Sequence, residues 1–200
     1  MTGRMLIAGV GNIFLGDDGF GPEVAKRLAA VSLPGWVRVA DYGISGMHLA
    51  YDLADGYGAA ILIDAAPRGD KPGTVTVLDV AAERRPQDSG PADGTIGASR
   101  LFDAHGMQPD VVLGVLGMLG AAGPARILVV GCEPASVDYA MELSEPVATA
   151  VGEAVQIVLD LVAEADRGPD HETPGAAGTP AAQDSETTDE GVSHVPWHSR

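Results

Sequence analysis

The sequence is poor in basic residues and in aromatic side chains. Its 200 residues include 12 Lys and Arg against 28 Asp and Glu, so the formal net charge is −16 at neutral pH. Nucleic-acid binding depends on basic side chains that neutralise phosphates, and anionic membranes attract basic segments, so we expect neither partner. An acidic surface suits a basic partner or a cationic metal. With only 3 Phe, 4 Tyr and 2 Trp, the core must be built from Ala, Val, Leu and Ile.

Cysteine and long apolar runs are scarce as well. Cys132 is the single cysteine, which excludes an intramolecular disulfide. The first apolar run, Met5–Val10, breaks at glycine and is too short for the apolar region of a signal peptide. No uninterrupted apolar run is long enough to cross a bilayer. We therefore expect a cytoplasmic protein without a membrane partner, and a monomer as the default state.

Short apolar segments alternate with amphipathic ones along most of the chain. This alternation predicts an α/β fold, a three-layer sandwich in which helices cover both faces of a mainly parallel, twisted five-stranded sheet, phosphorylase/hydrolase-like in class. The predicted strands are 5–10, 37–40, 59–63, 74–78 at a sheet edge, and 126–130, and the predicted helices are 20–31, 45–53, 110–119 and one that Ser144 caps.

The periodic pattern stops near residue 165. Residues 166–200 are rich in Gly, Pro, Ala, Thr, Asp and Glu without any repeat, which is the composition of a disordered segment. We therefore predict one domain over 1–165 and an acidic disordered tail over 166–200.

Candidate chemistry lies where predicted strands end. Asp17 and Asp18 follow the first strand, Asp64 ends the third, and His105 stands in a later polar loop. If the first and third strands are neighbours, these points meet at the crevice beyond the carboxyl ends of the strands. Two carboxylates and an imidazole could hold zinc or nickel and leave positions open. Alternatively, the acids could share a proton as an aspartic protease dyad, although a histidine favours a metal.

Each of these residues also has a structural interpretation. Asp17 or Asp18 could cap the following helix, and a lone loop histidine such as His105 is usually exposed. Asp64 is harder to explain in this way, because a carboxylate at the end of an apolar strand is poorly solvated unless something binds it. Cys132 follows an apolar strand and is interpreted as a buried, inert thiol.

The glycines of the first turn invite a dinucleotide interpretation. Gly9, Gly11 and Gly16 do not have the G-x-G-x-x-G spacing. Asp17 and Asp18 would also place two negative charges where a pyrophosphate must lie, at a cost of several kcal/mol in a partly buried site. Nucleotide binding is therefore disfavoured.

An ordered set of motifs resembles the [NiFe]-hydrogenase maturation proteases, peptidase family A31. The opening segment 9–22, GVGNIFLGDDGFGP, is similar to the opening motif of that family. Similar blocks follow in the family order over about four-fifths of the chain. They are 41–46 (DYGISG), 63–65 with 71–74 (IDA, KPGT), 105–106 (HG), 131–134 (GCEP) and 143–144 (LS).

The resemblance implies an endopeptidase that removes the C-terminal extension of a [NiFe]-hydrogenase large-subunit precursor after nickel insertion. The metal-contacting residues of the family fall on Asp18, Asp64 and His105, and Asp18 and Asp64 would be catalytic in an aspartic-type enzyme. Asp17 and Asp41 are secondary candidates. Nickel would be supplied in the substrate and not retained by the isolated protease.

The segment at Asp41 departs from the D-G-G-T pattern of the family, and Asp18 is one methylene shorter than the Glu of some members. Bond cleavage could use the metal to polarise the carbonyl or activate water, or a carboxylate as general base. We favour metal-assisted hydrolysis that involves Asp18 and Asp64. The alternatives are a non-catalytic nickel-dependent docking or carrier protein for hydrogenase assembly, and a nucleotide-dependent oxidoreductase.

Overall fold

The computed structural model describes residues 3–80 and 123–167. The predicted helix over 110–119, the predicted site residue His105 and the predicted tail after 167 lie outside this range. The described strands are β1 (Met5–Val10), β2 (Val37–Gly43), β3 (Ala59–Ala65), β4 (Val75–Asp79) and β5 (Arg126–Cys132). A 3-10 turn spans Gly16–Gly19, and the helices are α1 (Phe20–Leu28), α2 (Gly46–Ala54) and α3 (Glu145–Arg167).

The five strands form one sheet in the order β2-β1-β3-β5-β4. All neighbours are parallel except β4, which runs antiparallel to β5 at the edge. The central strands β1, β3 and β5 are almost wholly buried, whereas β2 and β4 are only half-buried, as expected of edges. The mainly parallel five-stranded sheet and the edge position of 74–78 are confirmed.

The helices cover both faces of the sheet, which confirms the three layers. Apolar residues of α1 and α3 pack on one face of the central strands, and those of α2 pack on the other. Aliphatic side chains dominate both clusters, and Phe20 is the largest fully buried residue. The small share of aromatic residues in the sequence is therefore reflected directly in the core.

Several element ends differ from the sequence prediction. β2 continues to Gly43 and β5 to Cys132, beyond the predicted 40 and 130. Helix α1 ends at Leu28 instead of residue 31. The apolar spacing of Phe20, Val24 and Leu28 is what packs α1 on the sheet, and Val31 is outside it with 40% of its surface exposed. Nothing in the sequence pattern past Leu28 holds another helical turn against the core.

Helix α3 qualifies the expectation about membranes. It is the one helix of the described part that is long and apolar enough, by length and composition alone, to cross a bilayer. Its buried residues include Val147, Val151, Ala154 and Val158, which belong to the same core cluster as β1 and β3. This packing is that of a core helix of an α/β domain.

Candidate active site

The site lies where β1 and β3 end side by side. Because β2 pairs with one edge of β1 and β3 with the other, the chain changes winding direction at β1, and a crevice opens beyond these strand ends. Asp18 lies in the 3-10 turn that follows β1, and Asp64 lies near the end of β3. Only 5% of Asp18 and 6% of Asp64 is exposed. The structure thus brings these two predicted site residues together.

The two carboxylates are held by short local hydrogen bonds. Asp18 Oδ2 accepts a bond of 2.7 Å from the backbone N–H of Asn12. Asp64 Oδ1 accepts a bond of 2.8 Å from the backbone N–H of Ala65. Backbone N–H groups at the ends of β1 and β3 therefore orient the two acids.

Asp64 is strongly perturbed by its surroundings. Burial raises its pKa well above the usual range of an aspartate, the negative charge of Asp18 raises it further, and the bond from Ala65 N–H offsets only part of this. Two buried carboxylates that repel each other are costly to ionise together. A shared proton or a bound cation would each relieve this repulsion, and these are the two chemistries that the sequence left open.

Asp17 has a different role from its neighbour. Its Oδ2 accepts bonds from the N–H groups of Ala135 (2.7 Å) and Ser136 (3.2 Å) and from the hydroxyl of Ser144 (2.9 Å), and its Oδ1 accepts one from Ser144 N–H (2.6 Å). Burial acts to raise the pKa of Asp17, but these bonds, led by those from Ser144, lower it overall. Asp17 therefore ties the turn that carries Asp18 to the loop after β5 and to the start of α3.

These contacts correct two predictions about helix caps. Neither Asp17 nor Asp18 caps α1, because Gly19 occupies the N-cap position and no side chain bonds there. Ser144 does precede α3, and its carbonyl accepts a bond from Ala148 N–H. However, its hydroxyl is donated to Asp17. Long-range bonds to a buried carboxylate thus replace the local caps that the sequence suggests.

The other candidates lie apart from the pair or outside the described residues. Asp41 is exposed near the end of β2, and its Oδ1 accepts a 2.8 Å bond from Gly43 N–H within its own turn. His105 falls in the part of the chain that is not described. Within residues 3–80 and 123–167, no group of three His, Cys, Asp or Glu side chains could hold a metal ion. Metal binding by Asp18 and Asp64 therefore stays a prediction, and it would require a further ligand from elsewhere.

Glu133 is an organising residue that the sequence analysis missed. It is 8% exposed, and its carboxylate accepts bonds from the N–H groups of Arg68 (2.6 Å) and Gly69 (3.2 Å). Its backbone also pairs with Gly73 and Thr74. Glu133 therefore shapes the loop that follows Asp64. An acid directly after an apolar strand was the available signal, the same one that identified Asp64.

Cys132 lies next to Glu133 and is buried. Burial, followed by the charges of Asp17, Glu133 and Glu153, raises the pKa of its thiol to about 12. The thiol is therefore protonated at neutral pH, which agrees with the inert role expected of it.

Two glycines near the first turn lie so close to backbone atoms that a side chain would not fit there. A Cβ on Gly21 would lie 2.2 Å from the carbonyl oxygens of both Val10 and Ile63, so α1 packs directly on the ends of β1 and β3. Gly11 has a positive φ of 132°, and a Cβ there would lie 1.9 Å from the carbonyl oxygen of Asp18. These two positions therefore require glycine because of the packing of the chain itself, without any need for a bound phosphate.

Comparisons with known proteins identify the family of the chain. No family model matches the chain. A Methanocaldococcus jannaschii protein named "Putative hydrogenase maturation protease" is 35% identical over 159 residues, which cover 78% of this chain and 94% of that protein. The hydrogenase expression/formation protein HupD of Rhodobacter capsulatus is 33% identical over 76% of this chain and 70% of its own length.

A solved structure extends the likeness to the fold. The hydrogenase maturating endopeptidase HybD from Escherichia coli superposes with a TM-score of 0.62 at 28% identity, over 81% of this chain and 93% of its own. The chain that carries this buried acid pair therefore belongs to the hydrogenase maturation protease family, as its motifs predicted.

Proposed function

We propose that the protein is an endopeptidase that removes the C-terminal extension from the large-subunit precursor of a [NiFe] hydrogenase. The observation that carries this proposal is the buried pair of Asp18 and Asp64 at the crevice between β1 and β3, in a chain of this family. Nickel is proposed as part of the substrate, where it serves as the recognition element. A cytoplasmic location and a monomeric state belong to the same proposal.

The electrostatics of the pair support a cation as the recognised group. With two acids in a poorly solvated crevice, Asp64 is costly to ionise on its own, because burial and the charge of Asp18 both oppose it. A cation brought between the two carboxylates would reverse this balance and favour the ionised form of both. His105 is proposed to complete the contact with a neutral imidazole. Recognition then depends on whether the precursor already carries its metal.

The same two residues are proposed to assist hydrolysis. An ionised carboxylate at this position can accept a proton from an attacking water, and a carboxyl of raised pKa can hold a proton for the carbonyl oxygen or the leaving amine. The nickel of the substrate would fix the scissile segment and polarise its carbonyl. We propose metal-assisted hydrolysis with the carboxylates moving the protons, which makes the enzyme aspartic in type.

The test is incubation of the purified chain with nickel-loaded and nickel-free precursor, followed by intact mass measurement. We expect the loaded precursor alone to be shortened. Asp18→Asn and Asp64→Asn keep the shape of each side chain and are expected to reduce cleavage at least 100-fold, the lower range for loss of an acid–base group. Asp55→Asn is the matched control, since Asp55 is exposed and its ion pair with Arg4 lies at the other end of the strands from the carboxylate pair.

Two results would contradict the proposal. Equal shortening of nickel-free precursor would remove nickel as the recognition element. Tight nickel binding by the isolated chain, with no shortening of either precursor, would instead support the non-catalytic carrier.

A further inference from the structure

Exposed apolar side chains lie at the carboxyl edge of the sheet, the edge that also carries the carboxylate pair. They are in the loops after β1 and β5 and around the start of α2, and between 47% and 82% of each residue is exposed. The other large exposed apolar residues of the described part are Val31, Val77 and Tyr51, and Tyr51 follows Met47 by one turn of α2. We call the first set the apolar rim, and its members are Ile13, Phe14, Ile44, Met47, Tyr139 and Met141.

Backbone hydrogen bonds join the three segments of the rim into one surface. Gly11 N–H donates to the carbonyl of Gly43 at 3.0 Å, which places the loop after β1 beside the loop after β2. Ala140 N–H donates to the carbonyl of Phe14 at 3.1 Å, and Gly16 N–H donates to the carbonyl of Ala140 at 2.8 Å. The loop after β1 is thus bordered on both sides, and its Asn12 N–H is the donor to Asp18. The rim and the acid pair share one backbone framework.

The rim is uncharged although the chain is rich in charge. One residue in five is charged overall, yet segments 11–16, 43–48 and 139–141 contain no Asp, Glu, Lys or Arg. The third segment is nevertheless flanked by the exposed acids Asp138 and Glu142. Aromatic and Met side chains are enriched at the centres of protein–protein interfaces. A surface that only had to stay in solution would not need three neutral segments at the mouth of its site.

The size of the rim also fits a protein partner. If a large apolar residue offers roughly 200 Å² when fully exposed, the exposed fractions give about 750 Å² for the six residues. The largest apolar patch on an ordinary monomer is about 300–600 Å², and each side of a standard protein interface buries about 800 Å². The rim is therefore as large as the central part of a specific interface.

We propose that the apolar rim docks the folded body of the hydrogenase large-subunit precursor, around the point where that precursor presents its metal to Asp18 and Asp64. This inference rests on the proposed function and adds the surface that selects the partner. Charge supports this occupant. An acid pair beside an apolar surface with an acidic border matches a cation set in an apolar protein surface, whereas a second copy of this chain would face one acid pair with another at −16 each.

The test measures docking separately from cutting. Nickel-free precursor is immobilised, and its Kd for the full chain is measured by biolayer interferometry with Ile44→Ser/Tyr139→Ser and with the control Val31→Ser/Val77→Ser. Both control residues are 40% exposed; Val31 follows α1 at the opposite edge of the sheet, and Val77 lies on the edge strand β4. We expect the rim variant to bind about tenfold more weakly and the control to stay within twofold of wild type.

Every other outcome has a defined meaning. Equal Kd values for the three proteins, or no binding of nickel-free precursor by wild type, would overturn the rim proposal. So would a concentration-dependent dimer that only the rim variant loses, or a fall in melting temperature confined to that variant. Precursor that binds through the rim and is never shortened would leave the docking surface standing and reject the protease. If the rim variant shortens precursor normally at low concentration, the protease function stands and the docking surface is rejected.

Discussion

Replacement of Asp17 by Asn tests whether this buried carboxylate holds the site together. Three backbone N–H groups and one hydroxyl donate to its two oxygens. An Asn side chain keeps one acceptor oxygen. If that oxygen takes the Oδ2 position with its three donors, the amide NH₂ must face Ser144 N–H, which now lies 2.6 Å from Oδ1. Two donors then point at each other in a buried site.

The expected cost follows from these contacts. Hydrogen bonds to a charged group contribute about 1.5–3 kcal/mol each, and a buried donor without an acceptor costs about 1–3 kcal/mol. Some relaxation of the loop is to be expected, so we predict that Asp17→Asn lowers the free energy of unfolding by about 3–5 kcal/mol. Ser144→Ala removes the hydroxyl alone and should cost about 1 kcal/mol.

The effect must also depend on pH. The pKa of Asp17 is lowered in the folded chain, so the carboxylate stabilises the fold above its unfolded pKa near 3.8, and this contribution is lost as pH falls through the folded pKa. The difference between wild type and Asp17→Asn should therefore shrink below about pH 4.

Urea unfolding followed by circular dichroism, at pH 7 and at pH 3, measures both effects. Asp55→Asn is the control, because its exposed ion pair with Arg4 contributes less than about 1 kcal/mol. If Asp17→Asn and Asp55→Asn unfold at the same urea concentration at pH 7, the reasoning about Asp17 is refuted.

Three further predictions follow from the site and its supports. Gly21→Ala should abolish cooperative unfolding, because the new Cβ would meet two backbone oxygens at 2.2 Å. Gly152→Ala has open space on α3 and should stabilise the fold by about 0.5–1 kcal/mol, and circular dichroism melts of both variants decide this. The pKa of Asp64 is raised in the folded chain, so its ionisation costs stability as pH rises. Metal-free Asp64→Asn should therefore be more stable than wild type at pH 8 but not at pH 3, and equal urea midpoints at pH 8 would contradict this. The thiol of Cys132, with a pKa of about 12, should resist a thiol reagent at pH 8 in the folded chain and react fully in urea. Fast labelling of the folded chain would contradict this, because it would show that the thiol is accessible.

The fold could be predicted from the sequence because its main signals are local. The apolar runs over 5–10 and 59–63 are continuous, so they identify central parallel strands without knowledge of their neighbours. Alternation with helices then fixes the class, and acids at strand ends identify Asp18 and Asp64 as residues that share one edge of the sheet.

The supports of the site could not be predicted in this way. Asp17 bonds to residues 118 to 127 positions later, and Glu133 to residues 64 and 65 positions earlier. Such contacts exist only after the sheet has brought the loops together, so no periodicity reports them. For the same reason Ser144 was interpreted as a local cap, although its hydroxyl has a distant acceptor.

The bonds of Asp17 also set an order of events during synthesis. The turn that carries Asp18 emerges from the ribosome early, but the donors that fix its neighbour belong to Ala135, Ser136 and Ser144, which emerge more than a hundred residues later. The acid pair can reach its final geometry only after the start of α3 has been made and has folded back. A nascent chain that still lacks this helix therefore cannot yet hold the turn of Asp18 in its final position.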